Sequence, residues 1–377
     1  MNLQNKSNQK LALVIHSLRT YGGAEYILKV ISDLYPDAPI YTSWYKKEIT
    51  DKYFEGRHIN GSFMNSLPFI DKFYRFLIPL LPIAFKSIDL SEFDKVLVVS
   101  DEFDKMVKVG AKTKKILYVL TPPRFLWLNI TKKSLGFLET LYRKFLKDIF
   151  NRVWRYFDKK SAMQADQIIS ISKTVQERVR SFYGLDSDIM YPPVDVEQIP
   201  FYSGKRPDEF LYLGRIEGYK GVELAIRACI TYGKKLRVAG IGSDLERLTK
   251  LVKEMGAENL ITFEGFVFGL PKFKMYSQVQ GVIFPVIEED FGIVPVEANA
   301  AGCPVIAYRS GGVRETIIEG ETGVFFDEYS EDGLGEVLMN FDSVKFSAEK
   351  CRKNAERFSR KVFEDKIRDL IDGTSKR

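Results

Sequence analysis

Two carboxylates with seven residues between them, Glu289 and Glu297, enclose the stretch Glu289-Asp-Phe-Gly-Ile-Val-Pro-Val-Glu297, just after the apolar run Gly281-Val-Ile-Phe-Pro285. Carboxylates accept hydrogen bonds from sugar hydroxyls, and backbone amides at a helix start attract phosphate oxygens. The pattern therefore suits a ligand that is both hydroxylated and anionic. Pro295 is of the residue type that opens helices at their first position. That predicts Glu289 on a loop leaving a strand and Glu297 on the first turn of the next helix. The helix should stop at Gly302, whose missing Cβ suits a left-handed cap, before a strand over Cys303-Pro-Val-Ile-Ala-Tyr308. Between the acids, the amides of Phe291, Gly292 and Ile293 would face the carboxyl end of a sheet. An acidic residue at a helix start also complements the helix dipole with no ligand present. That plain reading covers Glu297, but neither Glu289 nor the glycine after Phe291.

Basic groups fall at a second strand-to-helix junction. Leu213-Gly214-Arg215 ends an apolar strand pattern, and Lys220-Gly221 opens a helical one. An arginine forks onto two phosphate oxygens and a lysine adds a compact point charge. Lone basic residues are more commonly solvated surface charges, so the weight lies on their sharing one junction. Gly22-Gly23, after the first strand, would let backbone approach a ligand closely, although an ordinary tight turn explains the pair equally well. A nucleoside diphosphate sugar would satisfy all three junctions.

The elements that must hold these groups follow from length and patterning. A chain of 377 residues points to two domains, since single cores stop growing at roughly 250–300 residues. The 45% hydrophobic content and net charge of +6 belong to a globular protein. Cys229, Cys303 and Cys351 share no short spacing and there are two histidines, His16 and His58. This argues against a disulfide framework and a zinc site and suits a reducing cytosol; no cofactor and no metal are expected. Residues 1–190 carry 30 Lys+Arg against 20 Asp+Glu, a balance of +10; residues 191–377 carry 26 against 30, a balance of −4. The basic first half is expected to seek an anionic surface, while the acidic second half and the lack of a stacking platform argue against nucleic acid.

Short apolar runs alternate with helical patterns in both halves, the signature of parallel βα units. In the first half they lie at Leu11–Ile15, Ile40–Thr42, Lys95–Val99, Lys115–Val119 and Gln167–Ser170. In the second they lie at Phe210–Leu213, Leu236–Ala239, Ile261–Phe263, Val282–Phe284 and Val305–Tyr308. Tyr191-Pro192-Pro193-Val194-Asp195 reads as the hinge, because two prolines enforce an extended backbone. The expected domains are 1–191 and 192–355. A single charged helix from about Ser347 to Gly373 should follow, with 356–377 packing back on the first domain. The fold class is α/β, with two Rossmann-like domains whose parallel sheets face a cleft where ligands bind.

On Gly22-Gly23-Ala-Glu25, Gly214-Arg215…Lys220-Gly221, the Glu289–Glu297 stretch, Ala301-Gly302-Cys-Pro304 and Gly311-Gly312…Glu315…Gly320-Glu-Thr-Gly323, the chain resembles retaining glycosyltransferases. The resemblance is to the large GT-B family marked by two glutamates seven residues apart (glycosyltransferase family 4, group 1), and it runs over nearly the whole chain. It implies roles. Glu289, Arg215 and Lys220 would be catalytic, Glu289 touching the donor sugar and the two cations neutralising the leaving diphosphate. Glu297 would hold the ribose. Amides of Phe291, Gly292, Ile293 and Val294, with Gly22, Gly23 and Gly214, would bind sugar and diphosphate, and Phe266-Val267 would meet the base. His16, Thr121 and Arg124 would lie on the acceptor side.

The texture is similar to bacterial O-antigen and exopolysaccharide mannosyltransferases, also at Thr121-Pro-Pro-Arg-Phe-Leu-Trp127. That implies mannose transfer from GDP-mannose to a lipid-linked saccharide. The chain departs from those relatives at Leu120, where they carry histidine, and at Asp101-Glu102-Phe103, where another histidine is often found. Other readings are a UDP-sugar transferase, a nucleotide-sugar epimerase or hydrolase, and a non-catalytic scaffold subunit binding a sugar nucleotide. Residues 131–160 hold nine Lys+Arg and three Asp+Glu among apolar positions at helical spacing. Such a helix suits an anionic membrane surface, or packing within the first domain. Arg75 and Lys86, around the proline-broken run Phe76–Phe85, form a second candidate. The expected location is cytoplasmic, peripheral on the membrane's inner face.

Overall fold

Apolar runs buried on both faces favour parallel pairing, and each half of the chain builds one such sheet. The structure, a computed structural model, describes residues 10–68, 70, 77–128 and 137–373, with backbone alone over 137–149. Two units emerge: Met1–Tyr191 with Glu364–Arg377, and Pro192–Phe363.

In the first unit, seven strands lie in the order β3-β2-β1-β4-β5-β6-β7. They are β1 (Leu11–Ile15), β2 (Ile40–Thr42), β3 (Ile59–Gly61), β4 (Lys95–Ser100), β5 (Lys114–Val119), β6 (Gln167–Ser170) and β7 (Asp188–Ile189). All neighbours are parallel, and β1 is buried along its whole length. The second unit repeats the plan in the order β10-β9-β8-β11-β12-β13. Its strands are β8 (Phe210–Leu213), β9 (Leu236–Ala239), β10 (Ile261–Gly265), β11 (Gly281–Phe284), β12 (Val305–Tyr308) and β13 (Gly323–Phe326), again all parallel. Helices cover the second sheet around a core that includes Phe210, Val222, Ile226, Leu236, Ile283, Ile306 and Leu338. Strand order reverses between β1 and β4 and between β8 and β11. In open α/β sheets, those two crevices at the carboxyl ends are where ligands bind.

Three departures from the sequence reading have local causes. The helix after β11 runs Ile293–Ala300, capped by Gly292 at φ 96°, so it begins before Pro295 and carries Glu297 one turn deeper. The first four amides of a helix lack intrahelical partners, so a proline at the third position sacrifices nothing. Gly302 has the expected left-handed backbone, φ 74°. The last segment is not one helix but two, Ala348–Glu356 and Arg360–Asp372. Between them the backbone turns aside to pair with Val194, whose N–H donates to the Phe358 carbonyl and whose carbonyl accepts from the Arg360 N–H, each at 2.9 Å. Further along, Lys95 donates to the carbonyl of Ile371 within the first unit. The third departure is that short edge strands β3 and β7, and β13, add to the ten expected.

Among the described residues, no helix is long and apolar enough to cross a membrane. The expected basic helix is present as Phe137–Ala162. Positions 131–136 and Arg75 lie outside the described residues. Part of its apolar stripe packs inward: Trp154 meets Phe103 with ring centroids 5.5 Å apart, and Asp158 is fully buried against Lys105. Arg152, Val153, Tyr156, Lys159 and Lys160 face solvent.

Candidate functional site

At the second sheet's reversal, β8 runs out through Gly214 and Arg215 into a 3-10 turn, Gly218–Lys220. The Tyr212 hydroxyl ties this loop down by donating to the Arg215 carbonyl at 3.0 Å. Gly221 follows at φ 71°, and a Cβ there would lie 2.3 Å from the carbonyl oxygen of Pro285, on the chain leaving β11. Only glycine allows that approach. It brings the two junctions into contact, and Lys220 Nζ reaches Glu289 Oε2 at 2.8 Å. Both side chains are 17% exposed, so the pair is shielded yet open on one side. Arg215, at the same strand end, is 65% exposed, lies over the Tyr219 ring at 5.5 Å and is 3.8 Å from Glu217.

Glu289 is fixed through its backbone. It pairs with Gly311, and its carbonyl accepts from the Gly312 N–H at 2.7 Å. Glu288 beside it has φ 57°, the one non-glycine residue with positive φ among the described residues. Its N–H donates to Ser310 Oγ at 3.1 Å. Backbone held in that region stores strain, which concentrates where side chains must be aimed.

Glu297 is 7% exposed and is held by partners the sequence did not suggest. Lys272 Nζ donates to Oε1 at 2.6 Å and the Tyr276 hydroxyl to Oε2 at 2.7 Å. Burial and the nearby Glu297 push the Tyr276 phenol well above its ordinary range, so it stays a donor. The Phe291 side chain is buried against Phe358. Gly292, Ile293 and Val294 form the start of the helix that leads to Glu297. Phe266 is 69% exposed on the loop after β10, followed by Val267 and a second exposed ring, Phe268.

The first sheet's reversal carries a different set. His16, at the end of β1, is 7% exposed, with Nε2 3.5 Å from Glu102 Oε2 on the loop after β4. Burial lowers the imidazole's pKa and pushes the Glu102 carboxyl up to about 7, reinforced by Asp104. Both shifts disfavour the charged forms that an ion pair between these two groups would need. Burial also raises the Asp101 carboxyl well above the ordinary carboxylate range. Gly22 and Gly23 open the helix Gly23–Leu34, but the Gly22 N–H is already taken by Glu25 Oε2 at 2.9 Å, and its φ of −143° is ordinary extended backbone. Thr121 is buried and accepts from Arg178 at 3.3 Å, while Arg124 starts a short helix ending at Trp127. Asp158 anchors that helix by accepting from Trp127 Nε1 at 2.8 Å and pairing with buried Lys105 at 2.6 Å. Leu120 is buried, its N–H bonded to Ser100.

A raised carboxyl pKa has a checkable sign. A carboxyl whose folded pKa exceeds its unfolded value stabilises fully below the unfolded pKa, and that contribution is lost as pH rises towards about 7. Glu102→Gln is therefore expected to be more stable than wild type at pH 8 by about 1–2 kcal/mol, allowing for partial solvent screening, with no gap at pH 4.5. Urea unfolding at both pH values reads this, and an equal gap at both would contradict the assignment.

Two doubly wound units, with strand orders 3-2-1-4-5-6-7 and 3-2-1-4-5-6, the second bearing a cation–carboxylate site at its reversal, define a GT-B fold. Residues 195–358 match the family model of glycosyl transferases group 1. The chain is similar to an uncharacterised glycosyltransferase, MJ1607, of Methanocaldococcus jannaschii, at 29% identity over 52% of this chain and 56% of that one. It is also similar to the alpha-1,3/1,6-mannosyltransferase ALG2 of Homo sapiens, at 27% identity over 62% and 61%. Among solved structures, Anabaena Alr3699/HepE, in complex with UDP and glucose, superposes with a TM-score of 0.71 at 16% identity, covering 97% of this chain and 99% of that one. The chain spans about half the length of the curated relatives it matches.

Proposed function

We propose that the protein is a retaining glycosyltransferase that moves a hexose from a nucleoside diphosphate sugar to a saccharide or lipid-linked acceptor. The observation that carries this is the Lys220–Glu289 pair at 2.8 Å, beside Arg215, at the β8/β11 reversal of a unit that matches the glycosyltransferase family model. Cleavage of the sugar–phosphate bond develops charge on the leaving diphosphate, and preorganised cations stabilise that charge most in a partly shielded site. Lys220 and Arg215 supply the cations. Glu289 keeps Lys220 in place and offers its second oxygen to hydroxyls of the transferred sugar. Glu297 takes the ribose, and the amides at the start of Ile293–Ala300 take diphosphate oxygens. In a retaining reaction, the leaving phosphate accepts the acceptor's proton on the face it vacates, so no histidine is needed at position 120.

GDP-mannose is the proposed donor, supported by the similarity to a mannosyltransferase and by the Thr121–Trp127 segment. Thermal unfolding with GDP, UDP, GDP-mannose and UDP-glucose tests donor choice, because a bound ligand raises stability by RT ln(1 + [L]/Kd). GDP and GDP-mannose are expected to give the larger shifts; larger shifts with the uridine ligands would replace the donor. The proposed place of action is the cytoplasmic face of the membrane, supported by the solvent-facing Arg152, Lys159 and Lys160 of the basic helix. Flotation with vesicles is expected to recover the protein with anionic lipid and not with neutral lipid alone; no recovery with either would remove the membrane from the proposal.

A further inference from the structure

The loop and helix after β10 carry a feature that the proposed reaction does not use. Lys272 and Tyr276, one helical turn apart, each donate to a different oxygen of the Glu297 carboxylate, at 2.6 and 2.7 Å. Tyr276 is fully buried, and the Lys272 and Glu297 side chains are 19% and 9% exposed. An ionised carboxylate offers about four lone-pair sites, so one donor on each oxygen leaves one free on each. With both oxygens held, the carboxylate cannot rotate, and its two free lone pairs keep a fixed spacing. That arrangement matches two adjacent hydroxyls, as on the 2′ and 3′ carbons of a ribose. Burial stability alone is a weak reason for such an arrangement, since apolar residues of similar volume commonly replace a buried ion pair without loss.

Resting on the nucleotide-sugar reading above, we propose that Lys272 and Tyr276 are positioning residues that lock Glu297 as a reader of a vicinal diol, so that the site selects ribonucleotides over 2′-deoxyribonucleotides. Lys272 carries most of the effect, because a charged donor makes the stronger hydrogen bond. The segment from Gly265 to Tyr276 then has two roles. Its loop presents Phe266 and Phe268 to solvent where a base would lie, and its helix sets the acid that holds the attached sugar.

Calorimetric titration of the full chain with UDP, GDP and their 2′-deoxy forms tests this, using wild type, Glu297→Gln, Lys272→Met, Lys272→Arg and Tyr276→Phe. Wild type is expected to bind one ribonucleotide at least about tenfold more tightly than its deoxy form, the worth of a hydrogen bond to a charged group. Lys272→Met should weaken ribonucleotide binding by about 10–30-fold and shrink the ribo-to-deoxy ratio to about 2–3, close to that of Glu297→Gln. Lys272→Arg should restore part of the ratio, and Tyr276→Phe should lower it less than Lys272→Met. If Lys272→Met lowers the unfolding temperature but keeps the wild-type ratio, Lys272 is structural and the proposal falls while the donor site stands. A wild type that binds ribo and deoxy forms alike also overturns it. Wild type binding neither UDP nor GDP would overturn the donor site itself.

Discussion

Lys220→Ala is expected to lower sugar transfer by about 10²–10³-fold, the loss seen when one preorganised donor to a developing oxyanion is removed. Lys220 is the cation closest to Glu289, at 2.8 Å, and it sits at the end of a short turn and not within a packed helix. Its removal takes away the charge that meets the leaving diphosphate and leaves the Glu289 carboxylate to find water. Folding should persist, because the core of this unit is built from other residues, among them Phe210, Ile226 and Ile283. Lys220→Arg should recover only part of the rate, since a planar fork cannot occupy the space of a compact ammonium. Glu289→Ala is expected to fall by a similar factor, and the double variant by much less than the product, because the two side chains act as one unit. Initial rates with labelled donor, alongside circular dichroism, read all four proteins. Full turnover in both single variants would remove the pair from the reaction.

The second large effect acts through backbone. At Gly311, φ is 72° and an added Cβ would lie 2.3 Å from the Glu289 carbonyl oxygen and 2.7 Å from its nitrogen. Neither atom belongs to a flexible side chain, so the segment carrying Glu289 must move. Gly311→Ala is expected to destabilise the protein by about 3 kcal/mol and to reduce transfer by at least about 100-fold, through a displaced Glu289. Gly320→Ala is the matched control. Its φ is 75°, but nothing lies within 4 Å of the added Cβ. It should cost about 1 kcal/mol, from backbone strain alone, with no specific loss of rate. Equal effects from both variants would mean that the Gly311 contact does not position Glu289.

Much of the architecture is legible in the chain because parallel strands buried on both faces must read as unbroken apolar runs. Leu11–Ile15, Phe210–Leu213 and Val305–Tyr308 coincide with observed strands for that reason. Asp188–Ile189 does not announce itself, being two residues long at a sheet edge and not buried. The break between the last two helices has no glycine or proline to mark it; its cause is Val194, distant in sequence, taking up the backbone at Phe358 and Arg360. The same distinction runs through the site. Arg215, Lys220 and Glu289 stand at strand ends and in the loops that follow them, and Glu297 one turn into the next helix, where type and spacing are informative. Lys272 and Tyr276 look like ordinary members of a polar helix until the fold brings them to Glu297. The departure at Asp101-Glu102 was visible, but its consequence was not, because the raised carboxyl pKa depends on burial beside His16.

Hydrogen exchange read by mass spectrometry on the full chain, with and without a saturating nucleotide sugar, tests where the donor binds most directly. The account predicts protection concentrated on residues 214–221 and 286–297, at the carboxyl ends of β8 and β11, and its loss in Lys220→Ala. Protection confined to other segments, or none with either GDP-mannose or UDP-glucose, would contradict it.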